Sequence, residues 1–197
     1  MHEYLIKNGL TKRIIFFLTI AATSLSAIIN ALIFDTINKI SGCSFAVSAW
    51  IIFLGLWFLF SKKIWKNKHI MKFLKINNLS RTWQCEGTGF HYGEPDYKSN
   101  WNGIITISQT YDEILIKLET ERSVSYSTQA QLEKVNDKEF VLSYFYRNEP
   151  RLDSDQDMHK HYGSCRMFFD MEHETAKADY FTDRDRGSFG SMLLTKG

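Results

Sequence analysis

The stretch Trp101 to Glu119, WNGIITISQTYDEILIKLE, alternates apolar and polar side chains on both sides of a short polar break, Thr110 to Asp112. A period of two is the spacing of a strand with one buried face, and a tight polar break between two such runs reads as a hairpin. Alternation puts Ile105, Ile107 and Gln109 on one face of the first strand, and Ile114, Ile116 and Leu118 on one face of the second. These faces are expected to point inward.

The same period recurs from Ser80 onward. Strands are expected near Ser80 to Glu86, Asn100 to Gln109, Glu113 to Glu119, Arg122 to Glu133, Glu139 to Arg147, Tyr162 to Asp170, Ala176 to Asp183 and Ser188 to Thr195. Short polar connections, such as Thr110 to Asp112 and Val135 to Lys138, favour antiparallel neighbours. The two prolines, Pro95 and Pro150, fall in longer loops, out of the ladders that they would interrupt. Eight strands can close on themselves, leaving no edge and an interior for side chains or one small ligand. Residues 80–197 are therefore expected to form an all-β soluble domain, an eight-stranded antiparallel up-and-down β-barrel. A two-sheet sandwich is the alternative.

Ahead of this domain lie two uncharged apolar runs, Ile14 to Phe34 and Ser41 to Phe60, each close to the roughly 20 residues that cross a bilayer as a helix. A signal peptide fits poorly: the first run exceeds the usual apolar region, no small-x-small cleavage site is evident, and a second run follows at once. Residues 14–60 are expected to be a two-helix transmembrane hairpin, between a tail (1–13) and a basic juxtamembrane linker (61–79). In that linker lysines alternate with Ile64, Trp65, Ile70, Phe73 and Leu74, the makeup of a helix lying in the membrane interface. Lys7, Lys12 and Arg13 precede the first run; Lys62, Lys63, Lys66, Lys68, Lys72 and Lys75 follow the second; the loop between holds Asp35 and Lys39. Basic flanks stay on the cytoplasmic side, so both termini are expected there. Thr19, Ala22, Thr23, Ser26, Ala27, Asn30 and Ala31 fall at spacings of three and four, a face of small side chains that lets helices approach closely. That face packs either within one hairpin or between chains, with Asn30 hydrated at the interface or contacting another chain.

Residues 1–75 hold ten Lys or Arg and two acids, net +8, whereas residues 76–197 hold fourteen and twenty, net −6. The basic part suits an anionic leaflet, and the acidic domain lacks the surface that a nucleic-acid polymer needs. Cys43, Cys85 and Cys165 match no zinc or disulfide pattern. Asp153, Asp155 and Asp157 begin like a calcium loop, yet Met158 and Ser164 stand where that loop needs Gly and Glu. His159, His161 and Cys165 lack a zinc spacing, and Gly87, Gly89 and Gly93 read as a flexible loop without a following helix to hold phosphate. No nucleophile and base, carboxylate dyad or G-x-S-x-G elbow is present, so the chain reads as a non-enzyme without metal or cofactor.

Binding chemistry is better represented. In Arg122 to Gln131, Ser123, Ser125, Ser127, Gln129 and Gln131 share one face, either a solvated outer face or a hydroxyl-lined cavity wall. Leu142, Tyr144, Tyr146 and Asn148 share a face of the fifth strand. Tyr180, Thr182 and Arg184 alternate before a turn at Gly187, and a ring, a hydroxyl and a guanidinium together suit a nucleotide base and phosphate. The plainer reading leaves Tyr180 in the core and Arg184 paired with Asp183 or Asp185.

Several motifs in order resemble one family. W-x-G-x-x-x-I-x-Q-T (Trp101 to Thr110), S-x-S-x-S (Ser123 to Ser127), Y-x-Y-x-N-x-P (Tyr144 to Pro150), H-x-G (His161 to Gly163) and Y-F-T-x-R-x-x-G (Tyr180 to Gly187), behind a two-helix anchor, look like the two-transmembrane, β-strand-rich effectors of bacterial CBASS anti-phage signalling. The resemblance covers essentially the whole chain. It implies a multi-pass inner-membrane protein in contact with lipid, whose minimal barrel recognises a cyclic dinucleotide made by a partner nucleotidyltransferase. Binding would drive homo-oligomerisation and membrane disruption, killing the infected cell. Local arginines such as Arg147 and Arg184 would have to overcome the −6 charge at the ligand. Residue chemistry and face assignment then nominate Gln109, Ser123, Ser125, Ser127, Tyr144, Tyr146, Arg147, Tyr180, Thr182 and Arg184 as ligand-binding. A membrane-tethered, lipocalin-like carrier of an apolar ligand is the alternative; Ser, Gln and Arg on the inner face would favour the nucleotide.

Overall fold

The structure is a computed structural model that describes residues 1–6, 9–151 and 159–197. Lys7 of the charge argument, and Asp153, Asp155, Asp157 and Met158 of the calcium-loop argument, lie outside the described residues. The chain divides into two compact units: residues 9–74, and a unit that joins Lys75–Gly197 to the N-terminal strand.

The larger unit is mostly antiparallel sheet, with nine strands among the described residues. These are β1 (His2–Ile6), β2 (Arg81–His91), β3 (Glu94–Gln109), β4 (Glu113–Thr120), β5 (Ser123–Lys134), β6 (Glu139–Pro150), β7 (His161–Asp170), β8 (Thr175–Thr182) and β9 (Ser188–Lys196). The ladder closes on itself in the order β1-β4-β3-β2-β9-β8-β7-β6-β5. Apart from β1, each strand pairs with its chain neighbour, and β9 returns to β2 from Trp83↔Lys196 to His91↔Ser188. Among the described residues the ring therefore has no edge strand.

The expectation of eight strands, all antiparallel, is corrected by β1. This strand lies between β4 and β5, antiparallel to the first (His2↔Ile114) and parallel to the second (Tyr4↔Ala130, Ile6↔Leu132). Beyond it β4 and β5 pair directly, Lys117↔Tyr126 to Glu119↔Val124. The ring is thus eight strands around at one end and nine at the other. HEYLI alternates over only five residues, too short to separate from tail by pattern alone.

The Gly-rich stretch is likewise not a loop. Gly87 and Gly89 lie within β2, and the β2–β3 turn falls at Tyr92 and Gly93, whose φ of 86° suits glycine. Pro95 stands near the start of β3 and Pro150 closes β6, so both prolines sit at strand ends. One face assignment also fails. Pairing slips between Ser127 and Gln129, and one extra residue reverses the facing of everything after it. Ser123, Ser125 and Ser127 are buried, but Gln129 is exposed and Leu132 takes the inward place.

In the smaller unit, α1 (Thr11–Ile29) runs through a π turn (Asn30–Phe34) into α2 (Asp35–Ser41). Thr11–Ser41 is long and apolar enough to cross a membrane. The second run is not one helix. Gly42 ends α2 in the left-handed region at φ 68°, residues 44–48 are non-helical, and α3 spans only Ala49–Lys62. The non-helical backbone is held by side chains of the first helix. Asn30 accepts from Val47 N–H (2.9 Å) and donates to Val47 C=O (3.0 Å); Asn38 does the same with Phe45 (2.7 and 3.0 Å). Ser26 Oγ also donates to Val47 C=O at 2.8 Å. Two asparagine amides thus stand in for a neighbouring strand, satisfying groups that apolar surroundings would leave costly. Asn30 is therefore an intrachain clamp. Of the small-residue face, Ala22 and Ser26 are buried while Ala27 and Ala31 stay exposed. The linker holds a short 3-10 turn (Ile64–Lys66) and α4 (Lys68–Leu74), with Trp65 and Leu74 buried and Ile64 and Phe73 exposed.

Candidate functional site

The two ends of the strand ring are filled differently. At the end where β2 begins, Trp83, Ile105, Ile107, Ile114, Leu142, Met167, Phe169 and Leu194 are all 2% exposed or less, with the Trp83 and Phe169 rings 5.4 Å apart. At the other end the inward places on β2, β5, β7 and β9 go to Gly87, Gly89, Ser123, Ser125, Gly163, Ser188 and Gly190. A cavity of about 520 Å³ opens there, within the range of small-molecule sites.

Glycines make that room by letting rings lie along the wall. A Cβ at Gly87 would come within 2.1 Å of the Trp101 indole, one at Gly163 within 2.4 Å of the Tyr146 ring, and one at Gly190 within 2.7 Å of Tyr180 Oη. Register sets these pairs, since Gly87 faces Trp101, Gly163 faces Tyr146 and Gly190 faces Tyr180 across adjacent strands. Trp101 Nε1 donates to Tyr180 Oη at 3.4 Å, and Tyr144 lies 6.2 Å from Tyr146.

Polar groups converge on the same space. Asn148 Nδ2 donates to Ser123 Oγ (2.9 Å) and Ser125 Oγ (2.8 Å). His161 Nδ1 donates to the His159 carbonyl at 3.1 Å. Arg122 and Arg186 are among the lining residues, with Glu121 the one acidic residue there among the described residues. Burial raises the Tyr144, Tyr146 and Tyr180 phenols above their ordinary pKa and pushes the Cys165 thiol up to about 12. Burial, with the Arg186 charge adding to it, lowers His161. The site is thus a neutral aromatic and hydroxyl wall with cationic groups, suited to flat rings and anions.

Of the nominated residues, Ser123, Ser125, Tyr144, Tyr146, Tyr180 and Thr182 line this cavity. Thr182 Oγ1 is also engaged in the β8–β9 turn, donating to Ser188 C=O at 2.9 Å. The other four lie elsewhere. Gln109 is a clasp at the packed end: it accepts from Leu79 N–H (2.7 Å) and donates to Tyr4 Oη (2.8 Å). Ser127 Oγ accepts from Ile116 N–H (2.9 Å) and bonds His2 Nε2 (2.7 Å). Arg147 sits outside the ring beside Glu149, 3.0 Å away. Arg184 is exposed in the turn, because β8 ends at Thr182 and the alternation stops there. Arg186, two residues on, is the turn arginine that lines the cavity. The residue reading missed Trp101, Asn148, His161, Arg122 and Arg186. Glycines at alternate positions, facing aromatics across a hairpin, are the signal that could have found the wall.

A closed strand ring with one end packed and the other hollow is the layout of a receptor domain for a small ligand. A family profile described as "Cap15, cyclic dinucleotide receptor domain" matches residues 74–196. The "CD-NTase-associated protein 15" of Yersinia aleksiciae is 31% identical over 150 residues, 76% of this chain and 70% of that protein. The chain belongs to the Cap15 family of CBASS effectors.

Proposed function

We propose that the cavity binds a cyclic dinucleotide, and that binding drives oligomerisation and disruption of the bacterial inner membrane, killing the infected cell. The observation that carries the reading is the pairing of Trp101, Tyr144, Tyr146 and Tyr180 with Arg122 and Arg186 around one cavity. Bases stack on rings, and guanidinium groups hold phosphates by charge-assisted hydrogen bonds. Ser123, Ser125, Asn148 and His161 give the wall a polarity that a carrier of an apolar ligand would not need.

The membrane part follows from chain topology. Because β1 and β2–β9 share one sheet, they occupy one side of any membrane, so a crossing by Thr11–Ser41 must be matched by a return before Lys75. At 3.3 Å per extended residue and 1.5 Å per helical one, residues 44–48 and α3 can span at most about 38 Å, enough for a core of roughly 30 Å. The lysines then put both termini in the cytoplasm. Exposed Ala27 and Ala31 leave room for close contact between chains.

Titration calorimetry of the full-length protein in detergent tests the ligand: saturable heat with a cyclic dinucleotide and none with a fatty acid is expected, and the reverse favours the carrier. A reporter fused after Gly197 tests topology, and activity confined to the periplasm would overturn it. Replacing Ala27 and Ala31 by Leu should abolish dye leakage from vesicles with ligand affinity unchanged; persistent leakage would mean that these positions make no contact between chains.

A further inference from the structure

The seam between β4 and β5 is where two pairings compete. Next to the cavity the strands pair directly at Lys117↔Tyr126, Leu118↔Ser125 and Glu119↔Val124. One step further the ladder breaks. Ile116 N–H turns to the Ser127 hydroxyl at 2.9 Å, β5 bulges, and β1 occupies the gap, bonded to both sides. His2 Nε2 lies 2.7 Å from that same Ser127 Oγ, so the tip of β1 is wired to the branch point.

We propose that this seam is a strand-binding site whose occupant, β1, carries the signal from the cavity to the membrane: ligand binding extends the β4–β5 ladder and expels β1. The proposal rests on the cavity being the ligand site. Ile116, Leu118 and Ser125 line the cavity and belong to the seam at once, so a ligand drawing on them acts directly on the choice of partner. Exchanging β1 for direct β4–β5 pairing trades one set of backbone hydrogen bonds for another, and such balanced exchanges are tipped by modest differential binding. Expulsion has a mechanical consequence because Ile6 precedes the first residue of α1, Thr11, by five positions, at most about 18 Å of extended chain. A strand fixed in the seam anchors the start of the helix, and a released one frees it.

A covalent lock tests this in the full-length protein. Leu5 and Gln131 are register partners on β1 and β5, so Leu5→Cys with Gln131→Cys, in a Cys43→Ser background, can be oxidised to hold β1 in place. Coupling is reciprocal, so a lock that favours the unliganded pairing must weaken the ligand. The oxidised protein should bind cyclic dinucleotide about tenfold more weakly than the reduced one and cause no leakage, both reversed by dithiothreitol. Deleting residues 2–6 should tighten binding several-fold. Equal affinity in the oxidised, reduced and deleted forms would overturn the coupling. Hydrogen exchange separates this from failure of the ligand assignment. The deletion alone should change the protection of the Ile114, Ile116 and Ser127 amides as β4 and β5 zip together, whether or not any cyclic dinucleotide binds. If these amides become no better protected, β1 is a fixed strand and the proposal fails.

Discussion

The Trp101 indole occupies the place that a side chain at Gly87 would take, with 2.1 Å between its ring and the position of a Cβ. The contact is a cross-strand pair, Gly87↔Trp101, and its effect is to lay the ring along the wall of the cavity. Gly87→Ala should therefore push the indole inward, fill part of the cavity and cost about 1 to 3 kcal/mol in stability, as overpacking does. Calorimetry and thermal denaturation check this. An alanine variant with unchanged ligand affinity would show that the indole does not shape the site.

Arg186 and Arg184 stand two residues apart in one turn, and the first alone lines the cavity. Charge-assisted hydrogen bonds contribute roughly 1.5 to 3 kcal/mol, so Arg186→Ala should weaken a cyclic dinucleotide by about tenfold or more. Arg184→Ala should stay within twofold. Titrating both variants side by side decides which guanidinium meets phosphate, and the opposite ranking would return Arg184 to the site.

Asn30 makes two hydrogen bonds to the backbone of Val47, a residue that lies outside any helix. Asn30→Leu leaves the Val47 N–H without its acceptor, at about 1 to 3 kcal/mol, while the carbonyl keeps the Ser26 hydroxyl. The expected outcome is a lower thermal midpoint in detergent and faster proteolysis between Gly42 and Ser48. Asn30→Gln should not rescue it, since the longer amide moves the two bonding atoms. Normal stability in Asn30→Leu would mean that water or lipid headgroups replace the clamp.

His161 gives the barrel an acid dependence. Its pKa is lowered by burial, so the unfolded state takes up the proton first. The stability held in the neutral ring is complete above the unfolded pKa of about 6.5 and is lost as pH falls from there toward the folded value. His173 has the opposite sign: Asp170 raises its pKa, so its contribution is present in acid and fades as pH rises through the folded value. Thermal midpoints at pH 7.5 and 5.5 should differ less in His161→Gln than in the parent protein, and more in His173→Gln. Parallel curves for His161→Gln and its parent would show that the ring titrates normally.

Local pattern determined most of the sheet. Alternation in WNGIITISQTYDEILIKLE depends on nothing distant, because side chains leave a strand on alternate faces, and so β3, β4 and their inward isoleucines were legible directly. The seven sequential hairpins follow from the same rule, as does the sharing of one face by Ser123, Ser125 and Ser127 and of another by Tyr144 and Tyr146; whether the serine face turns inward or outward does not. Two features were decided by the tertiary structure. The first is everything set by register: a bulge after Ser127 turns Gln129 outward, Gly87 needs Trp101 opposite it, and Arg186 instead of Arg184 lines the cavity because β8 ends at Thr182. Register is a relation between strands, and no single strand carries it. The second is the chain's use of short or uniformly apolar segments. HEYLI becomes a strand because β4 and β5 leave a gap for it, and residues 44–48 stay out of the helix because Asn30 and Asn38 hold the backbone of Val47 and Phe45; an apolar run without periodicity is compatible with either state until its hydrogen-bond partners are in place.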